Sequence, residues 1–308
     1  MSATVLRDAT VLRIEHFRKV YGDFVAVDDL NLTVTRGEIF GLLGPNGAGK
    51  TSTLECLEGI RQPDGGALDI LGVDPARQPH KLRDLIGVQL QLAGLPASMQ
   101  VQEAMRFFCA YHHVTPRDDL LVRLGLREKL HTQYHELSVG QQRRLALALA
   151  VAHRPQVIFL DEPTAGLDVE SRAELHAIMQ ELRAAGTTIL LATHDMAEAE
   201  KMTDRVAILL RGRVVATGTP RELTATGEGF TKVSVNTERA ILSQNGVRFP
   251  AVSQRVLKDE YVVYYSTDPG PTVSAILDYI RAQNDKLIDL RVERPSLEER
   301  FLEITGRQ

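Results

Sequence analysis

A glycine-rich run that ends in a lysine and a threonine is the first part of this sequence equipped for chemistry. Residues 44–51 read GPNGAGKT and fit the pattern G-x-x-x-x-G-K-[ST] of a phosphate-binding loop. In such a loop, glycines let backbone N–H groups approach phosphate oxygens, the lysine adds a point charge at the outer phosphates, and the hydroxyl reaches Mg²⁺. We therefore predict a nucleotide-phosphate site. The predicted contacts are Gly44, Pro45, Asn46, Gly47, Ala48, Gly49, Lys50, Thr51 and Ser52.

Two carboxylic acids and a histidine follow other apolar runs and could complete this chemistry. The order VIFLDE places Asp161 and Glu162 directly after a predicted strand. Asp161 is suited to hold Mg²⁺ together with Thr51, and Glu162 to polarise a water for attack on the γ-phosphate. His194 follows residues 187–193 and could hold the γ-phosphate or that water. Taken alone, the acids could form a solvated turn and the histidine could be structural.

Gln91 and Tyr21 are two further candidate site residues, and each also has an alternative interpretation. Gln91 lies where the sheet region gives way to a helical segment, and we predict that it contacts Mg²⁺. Gln89 would lie on the same face of a strand and competes for this role, and a surface amide is a third interpretation. Tyr21 precedes Gly22 and could stack on an adenine, for which a packed tyrosine is a serious alternative.

Four short apolar runs rich in Val, Ile and Leu indicate the strands that would position these residues. They are Ile39–Leu43, Val157–Leu160, Thr188–Ala192 and Val206–Leu210. Such runs are typical of strands buried on both faces, and helical patterns lie between them, which predicts an α/β core with a largely parallel sheet. The candidate residues follow the carboxyl ends of the first three runs, which is the edge where open α/β sheets bind ligands.

The flanking segments predict further elements of a first domain over residues 1–226. Residues Leu12–Phe17 and Leu30–Val34 are predicted edge strands, and Arg211-Gly212 is a predicted hairpin turn that leads into Val214–Ala216. The stretch 92–154 shows helical patterns without a strong strand signal. We therefore predict a helical subdomain there.

A smaller α+β domain is predicted over residues 227–308. Strand patterns cover 232–236, 261–265 and 287–292, and apolar residues recur at helical spacing over 272–283. Ser296-Leu-Glu-Glu299 is a capping box that should begin a last helix, and Gly306 is a helix stop.

Composition limits the class of protein. The 308 residues carry a net charge of -4, which gives no electrostatic reason to expect a nucleic-acid partner. The two cysteines suit a reducing cytosol. The N-terminus lacks a secretory pattern, and no apolar run approaches the roughly 18 residues of a membrane helix. Residues His112-His113, His131 and His135 do not complete a recognisable zinc pattern.

A second set of residues suited to anions stands far from the phosphate loop, in LSVGQ at 137–141. Together with GPNGAGKT, VIFLDE, AGLD at 165–168 and His194, this segment resembles the nucleotide-binding subunit of ABC transporters. The order and spacing match over about residues 12–218. A phosphate loop is shared by many ATPases, whereas the LSVGQ signature before the VIFLDE strand is specific to this family.

The resemblance implies that two such chains, which we expect to be identical, face each other head to tail. Each ATP, with Mg²⁺, would then lie between the phosphate loop of one chain and the signature of the other. On this basis Ser138, Gly140 and Gln141 contact the ATP of the partner chain, and Asp168 belongs to the D-loop. Val139 replaces a glycine of the commoner signature LSGGQ, and we expect its side chain to loosen or re-aim the loop.

A finer resemblance connects the chain to ATPases of ABC-2-type drug and antibiotic exporters, such as the daunorubicin-resistance ATPases. It rests on RGEIFGLLGPNGAGKT at 36–51 and on RPSLEERFLEITG at 294–306. It implies an ATPase on the cytoplasmic face of the membrane, bound to a separate permease near residues 93–108. The alternatives are an ATPase for lipid, polysaccharide or ion transport, an importer subunit, a soluble ABC ATPase, and a nucleotide-gated regulator that hydrolyses nothing.

Overall fold

The computed structural model describes residues 10–89, 94–225, 230–244 and 246–306. The chain forms two compact units, Met1–Thr219 and Pro220–Gln308. The phosphate loop and the signature belong to the first unit. The domain boundary at residue 226 stays a prediction.

A six-stranded sheet forms the centre of the first unit. Its strands are β3 (Ile39–Leu43), β5 (Ile86–Gln89), β6 (Val157–Asp161), β7 (Thr188–Thr193), β8 (Arg205–Leu210) and β9 (Arg213–Gly218). The spatial order is β5-β6-β7-β3-β8-β9, and the first five strands in that order pair in parallel. The strand β9 pairs antiparallel with β8 through the turn at Arg211-Gly212. The predicted α/β core with a largely parallel sheet and its hairpin are therefore confirmed.

A second, antiparallel sheet packs against this core. It consists of β1 (Thr10–Tyr21), β2 (Phe24–Thr35) and β4 (Gly65–Ile70), with β1 in the middle. The predicted strands at 12–17 and 30–34 lie within the longer β1 and β2. β2 is an edge strand of this sheet as predicted, whereas the prediction of an edge strand at 12–17 is wrong, because β1 pairs with β2 on one side and β4 on the other. The strand β4 was not predicted, because GGALDI begins with two glycines that weaken a strand pattern.

Successive side chains of a strand point to opposite faces of the sheet, so the apolar residues of the central sheet are divided between two cores. On β6, Val157 and Phe159 pack toward the antiparallel sheet, whereas Ile158 and Leu160 pack toward helices on the other face. All four are completely buried. Because both faces of β6 are covered, its end is held firmly, and Asp161 and Glu162 are positioned by a rigid element.

Seven helices are described in the first unit. They are α1 (Lys50–Leu57), α2 (Pro79–Leu82), α3 (Val101–Tyr111), α4 (Asp118–Arg123), α5 (Val139–Val151), α6 (Val169–Ala184) and α7 (Met196–Met202). The segment 94–154 consists of α3, α4, α5, two 3₁₀ turns and connecting loops, with a single isolated β-bridge between Gln100 and Gln133. The α/β core thus carries a helical subdomain that ends in the signature helix α5.

The second unit is a small α+β fold. It contains α8 (Pro220–Ala225), β10 (Thr231–Thr237), α9 (Ile241–Gln244), β11 (Val252–Lys258), β12 (Tyr261–Ser266), α10 (Pro269–Ala282), β13 (Leu287–Glu293) and α11 (Leu297–Thr305). The strands pair antiparallel in the order β11-β12-β10-β13. From β10 to β13 the chain follows the βαββαβ arrangement of ferredoxin-like folds. Completely or almost completely buried residues such as Val233, Tyr264 and Ile276 form its core.

The last helix begins and ends where its sequence signals indicate. The hydroxyl of Ser296 accepts a hydrogen bond from the Glu299 amide at 3.2 Å, and the Glu299 carboxylate accepts one from the Ser296 amide at 3.3 Å. Gly306 ends the helix with a φ of 65°, in the left-handed region that favours glycine. No helix within the described ranges combines the length and apolar character needed to span a bilayer.

Candidate ATP-binding and hydrolysis site

The phosphate loop connects the end of β3 to α1, at the carboxyl edge of the parallel sheet. It lines a cavity of about 270 Å³, to which Lys50, Thr51, Glu162 and His194 also contribute. A Cβ on Gly44 would lie 2.3 Å from the carbonyl oxygen of Leu209. This glycine is therefore required sterically, and the loop approaches the sheet more closely than another residue would allow.

The ammonium of Lys50 is held inside the loop. It donates hydrogen bonds to the carbonyl oxygens of Gly44 at 2.8 Å and Pro45 at 3.3 Å. The Glu162 carboxylate lies 3.7 Å away, and both side chains are buried. Burial lowers the pKa of Lys50, and the negative charges of Glu162 and Asp161 oppose that shift.

Thr51 and Asp161 meet although they are far apart in sequence. The Thr51 hydroxyl donates to Asp161 Oδ2 at 3.0 Å, while Asp161 Oδ1 is buried and has no hydrogen-bond partner in the part of the chain that the structure describes. Burial raises the pKa of Asp161, because its charge has lost most of its water. A hydroxyl beside a carboxylate with one unsatisfied oxygen is the hard donor set that Mg²⁺ prefers, so these residues fit the ion.

Glu162 and His194 form a pair at the mouth of the cavity. His194 Nδ1 lies 2.9 Å from Glu162 Oε1, and the Thr193 hydroxyl donates to Glu162 Oε2 at 3.3 Å. Glu162 has a φ of 48°, which a residue with a side chain adopts at a cost of about 1 kcal/mol. Its amide donates to Ala192 O at 2.9 Å, and Arg143 donates to its carbonyl at 2.7 Å. These two hydrogen bonds stabilise the strained backbone that presents the carboxylate.

Glu198, a buried carboxylate that was not predicted from the sequence, is linked to the Glu162–His194 pair through Thr193. Glu198 accepts hydrogen bonds from the Thr164 hydroxyl at 2.8 Å and the Thr193 hydroxyl at 3.3 Å, and its other oxygen lies 2.9 Å from His176 Nε2. Thr193 therefore shares its proton between Glu198 and Glu162. The available signal was weak, since Glu198 and His176 occupy ordinary helical positions in the sequence.

Two aromatic residues at the hairpin between β1 and β2 also line the cavity. The Tyr21 hydroxyl donates to Ser52 at 3.3 Å, and the cations of Lys19 and Arg61 lie 5.2 and 5.5 Å from the centre of its ring. Phe24 lines the same cavity with 60% of its surface exposed. Sequence reasoning considered Tyr21 and missed Phe24, which begins β2 immediately after the same hairpin.

The structure leaves both Gln89 and Gln91 as candidates for the predicted Mg²⁺ contact. Gln91 lies outside the described residues. Gln89 ends β5 at the same sheet edge and is 1% exposed, and neither of its amide atoms has a hydrogen-bond partner among the described residues. A buried and unsatisfied amide is costly, so Gln89 keeps its place as the alternative to Gln91.

The signature forms the N-terminus of α5. The Ser138 hydroxyl accepts from the Gln141 amide at 3.2 Å, and the Gln141 side chain accepts from the Ser138 amide at 3.0 Å. Val139 is 57% exposed, and a Cβ on Gly140 would make only ordinary contacts of 3.5 Å. Among the described residues, none of the signature lines the phosphate-loop cavity of its own chain.

The D-loop residue Asp168 caps α6. Its carboxylate accepts from the Ser171 amide at 2.8 Å and from the Ser171 hydroxyl at 3.0 Å. The bond from the Ser171 amide is the main reason that the pKa of Asp168 is lowered. Within one chain, Asp168 therefore has a capping role.

Comparisons with known proteins agree with this geometry. The ABC transporter family pattern matches residues 27–165. The chain is 34% identical to the daunorubicin resistance ATP-binding protein DrrA3 of Streptomyces coeruleorubidus, over 96% of each protein. It is 35% identical to the Nod factor export ATP-binding protein I of Ralstonia nicotianae, over 97% of this chain and 94% of the relative.

A solved ATP-binding subunit of an ABC transporter has a similar fold over most of this chain. It superposes with a TM-score of 0.66 at 29% identity and covers 70% of this chain and 92% of its own. The similarity to the curated relatives extends further, through the C-terminal unit. The chain belongs to the ATP-binding subunits of ABC transporters, and it is an ATPase.

Proposed function

We propose that this chain is the ATP-hydrolysing motor of an ABC-2-type exporter, which moves a drug, antibiotic or other lipophilic compound through a separate permease. The observation that carries the proposal is the convergence of Lys50, Thr51 and the Glu162–His194 pair on one cavity, with Asp161 hydrogen-bonded to Thr51. Phosphate binding, metal binding and proton transfer are thus available within one site.

The geometry supports a hydrolysis step in which Glu162 is the general base. The water oxygen bonds to the γ-phosphorus while the bond from that phosphorus to the β–γ bridging oxygen breaks, and ADP leaves with the electron pair. Glu162 accepts the proton of the water, and Lys50 neutralises phosphate charge. When bound, Mg²⁺ would supply charge neutralisation, held by Thr51 and Asp161 with Gln91 as the predicted further contact. His194 keeps the Glu162 carboxylate in place.

The proposed dimer gives the signature its function. Ser138, Gly140 and Gln141 do not line the phosphate-loop cavity of their own chain, yet the N-terminus of α5 presents N–H groups suited to an anion. A second copy of the chain, arranged head to tail, would place this helix against the γ-phosphate bound by its partner. ATP would then stabilise the closed pair, and hydrolysis would release it.

The proposed permease contact lies on the helical subdomain, at the cytoplasmic face of the membrane. Within the predicted region 93–108, α3 leaves Phe107 59% exposed. Phe108 lines an adjacent cavity of about 240 Å³ together with Glu58, Tyr111 and His153. Exposed aromatic residues beside a recess are suited to a protein partner.

Export is the favoured direction because the relatives described above, which match nearly the whole chain, are named for daunorubicin resistance and Nod factor export. These names describe different cargoes. The cargo of this chain is therefore proposed only as a class, since contacts to it would belong to the permease.

The first test replaces the proposed base. Glu162→Gln keeps the shape of the side chain but removes its ability to accept a proton, so steady-state ATPase should fall by about 100-fold or more. ATP should then hold the variant as a dimer in size-exclusion chromatography. Glu170→Gln, a change of the same kind on the exposed first turn of α6, is the matched control. Unchanged turnover in Glu162→Gln would refute the assignment of the base.

A second test addresses transport. The tagged chain is purified from detergent-solubilised native membranes, and bound proteins are identified by mass spectrometry. Recovery of an integral membrane protein in stoichiometric amount supports a transporter motor. Recovery from the soluble fraction with ribosomal proteins or nucleic acid would leave the ATPase assignment intact and overturn the transport proposal.

A further inference from the structure

A larger cavity lies at the opposite edge of the parallel sheet from the phosphate loop. It has a volume of about 600 Å³, within the range of roughly 300–1,000 Å³ that is typical of small-molecule sites. Its wall includes Arg36, Gln156 and Thr187, which precede β3, β6 and β7. Because these strands are parallel, residues that precede them lie at the amino edge, whereas the phosphate loop lies at the carboxyl edge. The cavity is therefore separate from the ATP site.

The charge of this cavity is strongly positive. Four arginines line it, Arg36, Arg117, Arg123 and Arg154, against one acid, Glu181, so the lining has a net charge of +3. The whole chain carries -4. The positive charge is thus a local feature that opposes the overall balance, and it favours an anion.

Two of the arginines are already paired with carboxylates. Arg117 donates two hydrogen bonds to Asp119, both at 2.8 Å, and Arg123 pairs with Glu181. In the described part of the chain, no carboxylate lies within 4.0 Å of the guanidinium of Arg154 or of Arg36. Arg36 instead donates a hydrogen bond to the Gln156 amide oxygen at 3.4 Å. Two guanidinium groups are therefore available to a ligand, each with donors arranged to hold a carboxylate or phosphate in a bidentate manner.

The remaining wall of the cavity is mainly apolar. Leu120 and Leu124 come from α4 and the residue after it, Val151 from the end of α5, and Ile178 and Leu182 from α6. A small inorganic anion would fill little of this volume and would leave the apolar surface uncovered. A molecule with one charged end and an aliphatic or aromatic body would use both parts.

We propose that this cavity binds a free amphipathic anion, with its carboxylate or phosphate group on Arg36 and Arg154 and its apolar body against the leucine-lined wall. The site lies between the helical subdomain, which contributes α4, and the core, which contributes the C-terminal end of α6. A bound molecule would contact both, at a distance from the nucleotide.

The absence of tryptophan from the chain allows a site-specific measurement. Ala185 lines the cavity at an exposed position at the end of α6, so Ala185→Trp places a single indole at the rim. Decanoate is the probe, titrated below its micelle concentration while indole fluorescence is followed. Isothermal titration calorimetry of the unmodified chain gives an independent affinity. We expect saturable binding of one decanoate per chain.

Charge variants identify the site. Arg154→Glu and Arg36→Glu should each weaken decanoate binding by about tenfold or more, because each removes a charge-assisted hydrogen bond. Arg127→Glu, at an exposed arginine of the helical subdomain outside the cavity, should leave it unchanged. Circular dichroism verifies folding, and the milder Arg154→Gln should weaken binding in the same direction if a glutamate variant misfolds.

Three outcomes would exclude a decanoate site in this cavity. One is a lack of saturation by decanoate, and another is equal affinity in the Arg36, Arg154 and Arg127 variants. The third is displacement of decanoate by ATP, which would place the probe in the nucleotide site. Decanol and decyltrimethylammonium should bind at least about tenfold more weakly than decanoate, and inorganic phosphate should not compete at equal concentration. Binding of decanol or decyltrimethylammonium as tight as that of decanoate, or competition by inorganic phosphate at equal concentration, would contradict the assigned ligand class.

Discussion

Glu58, at the C-terminal end of α1, should make the stability of this protein depend on pH in an unusual direction. Glu58 lines the cavity beside α3, and its Oε2 is buried and lacks a hydrogen-bond partner within the described ranges. Burial raises its pKa from 4.5 to about 8, and the negative charges of Asp161 and Glu55 add to the shift. The folded protein therefore holds this proton at neutral pH, whereas the unfolded chain releases it.

The sign and size of the effect follow from this difference. Between pH 4.5 and about 8 the folded state binds one proton more than the unfolded state at this site, so the free energy of unfolding falls as pH rises. Each pH unit within the window costs about 1.4 kcal/mol, so the interval from pH 6 to pH 8 should cost about 2–3 kcal/mol. Glu58→Gln has no proton to lose and removes this contribution.

The measurement is urea unfolding followed by circular dichroism at pH 6, 7 and 8. Other groups titrate in this range, so the useful quantity is the free energy of unfolding of Glu58→Gln minus that of the unchanged protein. This difference should grow by about 2–3 kcal/mol from pH 6 to pH 8. Glu128→Gln, at an exposed glutamate, should show a constant difference. A constant difference for Glu58→Gln as well would refute the buried, protonated carboxyl.

Three further changes test particular contacts. Phe24→Ala should weaken binding of a non-hydrolysable ATP analogue by about 3–10-fold in calorimetry, because the exposed ring lines the nucleotide cavity. Val139→Glu should abolish ATP-dependent dimerisation and most ATPase activity yet leave ATP affinity of the single chain unchanged, whereas Val122→Glu, also at an exposed valine, should change neither. Gly87→Ala should lower the free energy of unfolding by about 2 kcal/mol or more in urea titrations, because its Cβ would lie 2.1 Å from the Ala150 carbonyl oxygen.

The parts of the fold that sequence predicted well are those with a short-range physical signal. Buried parallel strands such as Ile39–Leu43 are continuous apolar runs, and the last helix has a capping box at its start and a glycine at its end. The sequence pattern did not predict elements whose conformation depends on pairing with a neighbouring strand. The strand β11 (Val252–Lys258) is largely exposed and polar, and its partner β12 on one side makes it a strand.

The candidate site divides in the same way. Lys50, Asp161 and His194 could be grouped because the parallel topology brings the ends of their strands to one edge. The Glu198 contacts with Thr164 and His176 could not be predicted, because they depend on how α6 and α7 pack and not on a periodic pattern. Phe24 was missed for a related reason. Its place at the cavity depends on the hairpin between β1 and β2.

The signature reconciles a structural and a functional interpretation of the same residues. The order Ser138-x-x-Gln141 is a capping box, and the structure shows both of its hydrogen bonds. Capping uses the Ser138 oxygen as an acceptor, and a hydroxyl can donate its own proton at the same time. The cap therefore fixes the hydroxyl at the helix N-terminus without consuming its donor. A serine there can order α5 within its own chain and still donate to a phosphate that a second chain presents, which an aspartate, although an equally good cap, could not do.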